Sequence, residues 1–339
     1  MKTGSRINRY ADFLKARYGC RVRRVPVDAG FGCPNRKPAY GPGHPGMVGA
    51  GTLSSGCSYC DATGSRAPIL GGLSSVQEQV RGALAFLRAR YSADRFMLYF
   101  QANTSTYAPV DHLKTLYDAT LALGDFTGLI VSTRPDCLEQ EKVDLLASYR
   151  DQGLEVWVEM GLQSASDKTL LRIGRGHEVA DFFEARQRLG RAGIAVAAHV
   201  IFGLPGEGLD EIMQTARFLA GLAVEGLKIH DLHYCRGTAL LKEALTGELP
   251  LWPKALHLEA CARFLELMPM TTTVMRLCSD NPPDRRALPR RQIEKAGLYR
   301  ELEVYMETKG TWQGRLFHEA KDQPEQAWVE KSSAGTDRR

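Results

Sequence analysis

Short apolar runs alternate along the chain with stretches whose apolar residues recur every three or four positions. The runs at 22–31, 96–102, 129–133, 156–162, 194–202 and 226–232 predict six strands. Between them, Val76, Val80, Ala83, Leu87 and Tyr91 share one helical face, and Ser75 and Glu78 are spaced as a capping box at its start. Ile212, Ala216, Leu219 and Ala223 mark another helix. Repeated strand–helix alternation predicts a parallel sheet; six units suit a partial barrel or an open doubly wound sheet, and periodicity does not choose between them.

The pattern loosens after about residue 250, with a helix over 253–267, an apolar stretch near Val274 and a helix over 292–308. From Glu319 the chain is polar and poor in aromatics, which predicts a frayed tail. The expected domains are a basic helical cap over 1–19, a core over 20–275, a basic extension over 276–318 and a disordered tail over 319–339. No fixed-period repeat is present.

With 339 residues, 44% of them hydrophobic, the chain can bury a large core. The amino-terminal stretch has no apolar leader core, and no run of about 18 uncharged apolar residues occurs, so no membrane partner and a cytoplasmic location are expected. The net charge of +5 is unevenly placed. Residues 1–37 hold ten Lys or Arg against Asp12 and Asp28, and a second basic cluster contains Arg285, Arg286, Arg290 and Arg291. Such clusters suit either a polyanionic partner or an ordinary solvated surface.

Of the eight cysteines, only Cys57 and Cys60 are closely spaced, and Cys33 follows the first strand. Parallel α/β folds place their chemistry at that carboxyl end. Residues 37–56 contain six glycines and three prolines, a composition suited to an irregular loop that returns the pair toward Cys33. Three thiolates suit a four-iron cluster whose fourth iron accepts an external amine and carboxylate. With His44 from the same loop they also suit structural zinc, and the cysteines alone leave both possibilities, and a metal-free one, open. The remaining cysteines lack paired ligand spacing, so a second cluster is not expected.

Beyond the cysteines, Gly32-Cys33-Pro34-Asn35-Arg36, Gly56-Cys57-Ser58-Tyr59-Cys60, residues 99–108, Thr133-Arg134-Pro135-Asp136, Glu159-Met160-Gly161-Leu162-Gln163-Ser164, Arg175-Gly176-His177, residues 199–207 and Lys228-Ile229-His230 fall in order at strand ends. Together, over roughly residues 5–310, they resemble the radical S-adenosylmethionine (radical SAM) superfamily, in its YhcC/YtqA-like branch. That branch is similar to the elongator catalytic subunit and the oxygen-independent coproporphyrinogen oxidases. The interval between Cys33 and Cys57 is longer than is usual in the superfamily.

The resemblance implies a partial (βα)6 TIM-type barrel with an N-terminal cap and a C-terminal helical extension. It implies a [4Fe-4S] cluster on Cys33, Cys57 and Cys60, S-adenosylmethionine on its open iron, and an electron donor such as flavodoxin or ferredoxin. Reductive cleavage then yields a 5′-deoxyadenosyl radical that abstracts hydrogen from substrate. Ala102, Asn103 and Thr104 would meet the methionyl amino end of the cofactor. Ser132, Gln163 and Arg175 would hold its ribose and carboxylate, and His199, Ile201 and Gly203 would pack beside its adenine and ribose.

Likeness to the elongator subunit, with the basic clusters, suggests tRNA as the partner and a wobble-uridine side chain as the target. A small-molecule radical enzyme acting on a tetrapyrrole or cofactor, or a zinc-stabilised RNA-binding module without catalysis, are the competing expectations. Strand alternation places His230 and His233 on opposite faces of the sixth strand, with one of them able to serve substrate as a proton donor or acceptor.

Overall fold

The computed structural model describes residues 5–36, 56–61, 63, 64, 66, 67, 70, 75–290 and 292–318. Most of the 37–56 loop, with His44, lies outside the described residues, as do Arg291 and the 319–339 tail. The strands are β1 (Val22–Val27), β2 (Arg95–Phe100), β3 (Phe126–Thr133), β4 (Glu155–Gln163), β5 (Ala195–Phe202), β6 (Gly226–Asp231), β7 (Tyr234–Cys235), β8 (Thr273–Arg276) and β9 (Arg286–Leu288). The helices are α1 (Tyr10–Tyr18), α2 (Val76–Tyr91), α3 (Val110–Leu121), α4 (Gln140–Asp151), α5 (Asp167–Arg172), α6 (Val179–Arg191), α7 (Leu209–Gly221), α8 (Ala239–Leu245), α9 (Lys254–Leu267) and α10 (Lys295–Thr308).

One parallel sheet runs in the order β1-β2-β3-β4-β5-β6-β8, the curled half-barrel of the TIM-like kind. Its seventh strand, β8, corrects the six-strand expectation. Only four residues long and beginning with Thr273, it carries too short an alternation to register as a strand. The first strand also stops at Val27, short of Phe31, because Asp28 and Gly30 turn the chain into the cysteine loop. The capping box at Ser75 forms as expected, with the Ser75 hydroxyl accepting from the Glu78 amide. A separate two-stranded ribbon, β7 against β9, joins the chain after β6 to the carboxyl-terminal segment.

Alternation gives the sheet two different faces. Leu98, Phe100, Leu129, Val131, Val158, Val196 and Ile229 belong to the large core beneath the outer helices. Met97, Ile130, Trp157 and Ala197 point inward, where they pack against Tyr10 and Leu14 of α1. The Tyr10 and Phe13 rings meet Trp157 edge-on at 5.5 and 6.0 Å. The amino-terminal helix is thus a floor for the half-barrel. Arg9, just before it, bridges to Val274 of β8, while α1 also packs against β1, so the helix spans the gap between the edge strands. No helix among the described residues is long and apolar enough to cross a membrane.

Candidate active site

A cavity of about 310 Å³ occupies the inside of the half-barrel above this floor. Cys33, Cys57 and Cys60 all line it. A tight turn, closed by the Cys60 amide on the Cys57 carbonyl at 3.0 Å, presents the pair. The turn is moored to the barrel where the Ser58 amide donates to the Ile173 carbonyl at 2.9 Å and the Leu240 amide to the Ser58 carbonyl at 3.1 Å.

Two neighbours of Cys33 extend the binding of this loop. The Asn35 amide donates to the Gly174 carbonyl at 2.5 Å, to the Arg175 carbonyl at 3.0 Å and to the Cys57 sulfur at 3.5 Å. Gly176, at φ +71°, lies so close that a Cβ would sit 2.5 Å from Asn35 Oδ1. Arg36 donates to the Cys60 sulfur at 2.8 Å and also bonds the Asp61 carbonyl.

The thiols differ electrostatically. Burial pushes Cys57 up, but the Arg175 guanidinium, 3.7 Å from its sulfur, and the Asn35 amide outweigh it, so its pKa falls below the ordinary thiol value. Burial carries Cys60 up to about 11 despite Arg36.

Arg175 is buried and fixed by three partners. Nε donates to His177 Nε2 at 2.9 Å, Nη2 donates to the Gly161 carbonyl at 2.9 Å, and Nη1 faces Cys57. His177 must therefore offer a lone pair at Nε2 and carry its proton at Nδ1, which donates to the Glu178 carbonyl at 3.1 Å. Burial and then Arg175 lower its pKa to about 3. Arg175, expected to meet a cofactor carboxylate, lines the cavity with its guanidinium beside Cys57.

Gln163 owes its position to a break in the β4–β5 register between Gly161 and Gln163. Its φ of +74° is unusual for a residue with a side chain, and its Oε1 is buried on the cavity wall without a partner among the described residues. Asn103 (φ +54°) and Thr104 join the wall, the Asn103 amide donating to the Gly64 carbonyl at 2.9 Å and the Thr104 amide to the Gly32 carbonyl at 3.2 Å. Ser132, His199 and Ile201 also face the cavity. Ala102 and Gly203 stand behind it: Ala102 is buried next to the wall residue Gln101, and Gly203 abuts Trp252.

Several wall residues escaped the sequence reading. Glu159 is 3% exposed and accepts from Arg24 at 2.7 Å, Lys228 at 2.5 Å, Ser132 at 3.3 Å and the Tyr99 hydroxyl. Burial opposes its charge, but Lys228 and Arg24 hold its carboxyl far below the usual range. Burial conversely lowers Lys228, to about 8, against the pull of Glu159. The signal was present: Glu159 and Lys228 are charges inside apolar runs at inward-facing positions.

His199 and His230 meet ring to ring at 4.0 Å, and His199 Nε2 is buried without a partner. Burial first, then Lys228 for His199 and His199 for His230, holds both well below the ordinary histidine value. His233 also lines the cavity, which corrects the opposite-face expectation: β6 ends at Asp231, and strict alternation ends with it.

Among the described residues no three His, Cys, Asp or Glu converge closely enough to hold one metal ion. Three thiols on one wall, two of them contacted by guanidinium groups, nevertheless form a donor set for a cluster with three protein-bound corners. The unpartnered Gln163 Oε1 and His199 Nε2, and the apolar Ile201, provide the mixed polar and flat surface that a nucleoside-bearing cofactor requires. The residues present fit both groups.

Comparison with known proteins agrees. Residues 54–219 match the family model of the radical SAM superfamily, and residues 224–308 match that of the radical SAM C-terminal domain. The chain is 32% identical to YtqA of Bacillus subtilis (strain 168) over 310 residues, covering 91% of this chain and 92% of that one. It is 38% identical to YhcC of Escherichia coli (strain K12) over 243 residues, 72% of this chain and 74% of that one. The solved Elp3 of Methanocaldococcus infernus shares the fold, with a TM-score of 0.61 and 20% identity over 74% of this chain and 65% of that one. The chain belongs to the radical SAM superfamily, as an enzyme whose family uses a [4Fe-4S] cluster and S-adenosylmethionine.

Proposed function

We propose that this radical SAM enzyme modifies tRNA, with a wobble-uridine side chain as its target. The observation that carries this reading is the basic part of the cavity lining, which includes Arg66, Arg276 and Arg285. The Arg285 guanidinium reaches across to the Arg66 carbonyl at 2.6 Å, so the carboxyl-terminal segment and the cysteine loop share one basic lining. A lining of this charge suits the phosphates flanking an extruded base. Resemblance of the strand-end motifs to those of the elongator catalytic subunit supports the same substrate class.

The other basic residues contribute less to such a surface than their number implies. Arg9 pairs with Glu303, Arg17 with Glu155 and Arg24 with Glu159, while Arg286 is buried against the Asn281 carbonyl and Gln292.

When bound, the cluster and S-adenosylmethionine supply the 5′-deoxyadenosyl radical. The chain's own residues set the conditions around it. Cys33, Cys57 and Cys60 hold three corners, and Arg175 and Arg36 compensate thiolate charge. Gln163, Asn103 and Ser132 offer hydrogen bonds to the cofactor, and the α1 floor excludes water from below.

The test is anaerobic reconstitution followed by mass spectrometry for 5′-deoxyadenosine and for modified nucleosides, with bulk tRNA from cells lacking the gene. Wild-type protein should form 5′-deoxyadenosine and a new nucleoside, and Cys57→Ala should form neither. Formation of 5′-deoxyadenosine without any change in the tRNA nucleosides would discard the tRNA substrate.

A further inference from the structure

Asp231, the last residue of β6, and His233, two residues on, both line the cavity. His233 Nε2 donates to Asp231 Oδ2 at 3.0 Å. The other carboxylate oxygen accepts from the Ser279 amide at 2.6 Å, and the Ser279 hydroxyl donates to the Asp231 carbonyl at 2.6 Å. Asp231 is therefore fixed on both sides, and it in turn fixes the imidazole. Burial works against its charge, but His233 more than offsets this and leaves the carboxyl at about 2.

His233 is 4% exposed, and its second ring nitrogen, Nδ1, is buried without a hydrogen-bond partner among the described residues. When the ring carries one proton and directs it from Nε2 to Asp231, Nδ1 presents a lone pair. A buried acceptor left unpaired is unfavourable, and nearly all such atoms in folded proteins have partners. Orientation of an imidazole by a buried carboxylate is also the arrangement that prepares its far nitrogen to receive a proton. Here the oriented ring stands on the wall of the cavity that Cys33, Cys57 and Cys60 also line.

We propose that His233 Nδ1 accepts a hydrogen bond from an N–H or O–H group of the substrate. The inference rests on the tRNA reading only for the identity of the molecule that brings this group. The bond orients the substrate in the cavity. A substrate lacking the donor would leave the acceptor unpaired and be rejected. Asp231 is a positioning residue, acting through the ring.

The variant that separates recognition from structure is His233→Gln. Its amide nitrogen reproduces Nε2 toward Asp231, and nothing replaces Nδ1. With bulk tRNA from cells lacking the gene, modified nucleoside formed per 5′-deoxyadenosine should fall about tenfold or more relative to wild type, the size expected for one lost buried hydrogen bond. An unchanged ratio, whether or not total turnover drops, would overturn the proposal by showing a merely structural ring. Should wild-type protein modify no tRNA nucleoside, the tRNA reading fails by itself, and nitrogen NMR of the reconstituted, cofactor-bound enzyme decides the rest. A bare Nδ1 beside a protonated Nε2 supports the proposal; a proton on Nδ1 overturns it.

Discussion

Glu159 shows how much of the site depends on single side chains. It is one carboxylate among Lys228, Arg24 and Tyr99 in the middle of the half-barrel, and removing it leaves two cations facing each other in a poorly solvated space. Glu159→Gln should therefore lower the unfolding free energy by about 3–5 kcal/mol, measured by urea titration at neutral pH. The sign of the pH dependence follows from the lowered folded-state value. The stabilisation is present above the ordinary glutamate value of 4.5 and is lost as pH falls below it, because the unfolded chain then binds protons that the folded one does not. The wild-type advantage over Glu159→Gln should shrink across that acidic range; an advantage constant with pH would refute the ion-pair account. The sequence displayed this charge as part of a motif but not its partners, since Arg24, Glu159 and Lys228 come from three strands that only the closed register brings together.

At the scale of elements, the strands legible in the sequence were those with six or more residues. β8 was hidden because its order comes from pairing with β6 and from the Arg9 bridge rather than from its own four residues. In the cysteine loop the three cysteines that line the cavity were legible, and the moorings of the loop were not. Asn35, Ser58 and Arg36 act through partners more than twenty residues away or through backbone carbonyls, which leave no spacing pattern. α1 was legible as a basic helix, and its role was not, because Tyr10, Phe13 and Leu14 acquire meaning only beneath Trp157. Leu14→Ala should cost about 2–5 kcal/mol in urea unfolding, as a core truncation does, despite its place near the chain terminus. A loss below about 0.5 kcal/mol, typical of surface positions, would show that the helix merely rests on the barrel.

Across the whole molecule, charge is sorted between structure and surface. The arginines of β1 and α1 are largely occupied by Glu155, Glu159 and aromatic rings, with Arg23 lying over Tyr91 at 4.1 Å. Arg276 and Arg285 instead line the cavity, beside His230 and the Arg66 carbonyl. Charge reversal at Arg285 and Arg276 should weaken tRNA binding and reduce the slope of log affinity against log salt by about one for each phosphate no longer neutralised, read by filter binding over a salt series. Reversal at Arg17, beside Glu155 on the floor side, should leave that slope unchanged. Equal effects at both places would place the nucleic acid elsewhere on the molecule.

Because α1 packs beneath the half-barrel and touches both β1 and β8, it acts as a strut across the open side of the curl. A sheet that stops short of closure is free to change its curvature, and a strut between its two edges resists that change. The width of the chamber is therefore set by residues 10–18 as well as by the sheet itself.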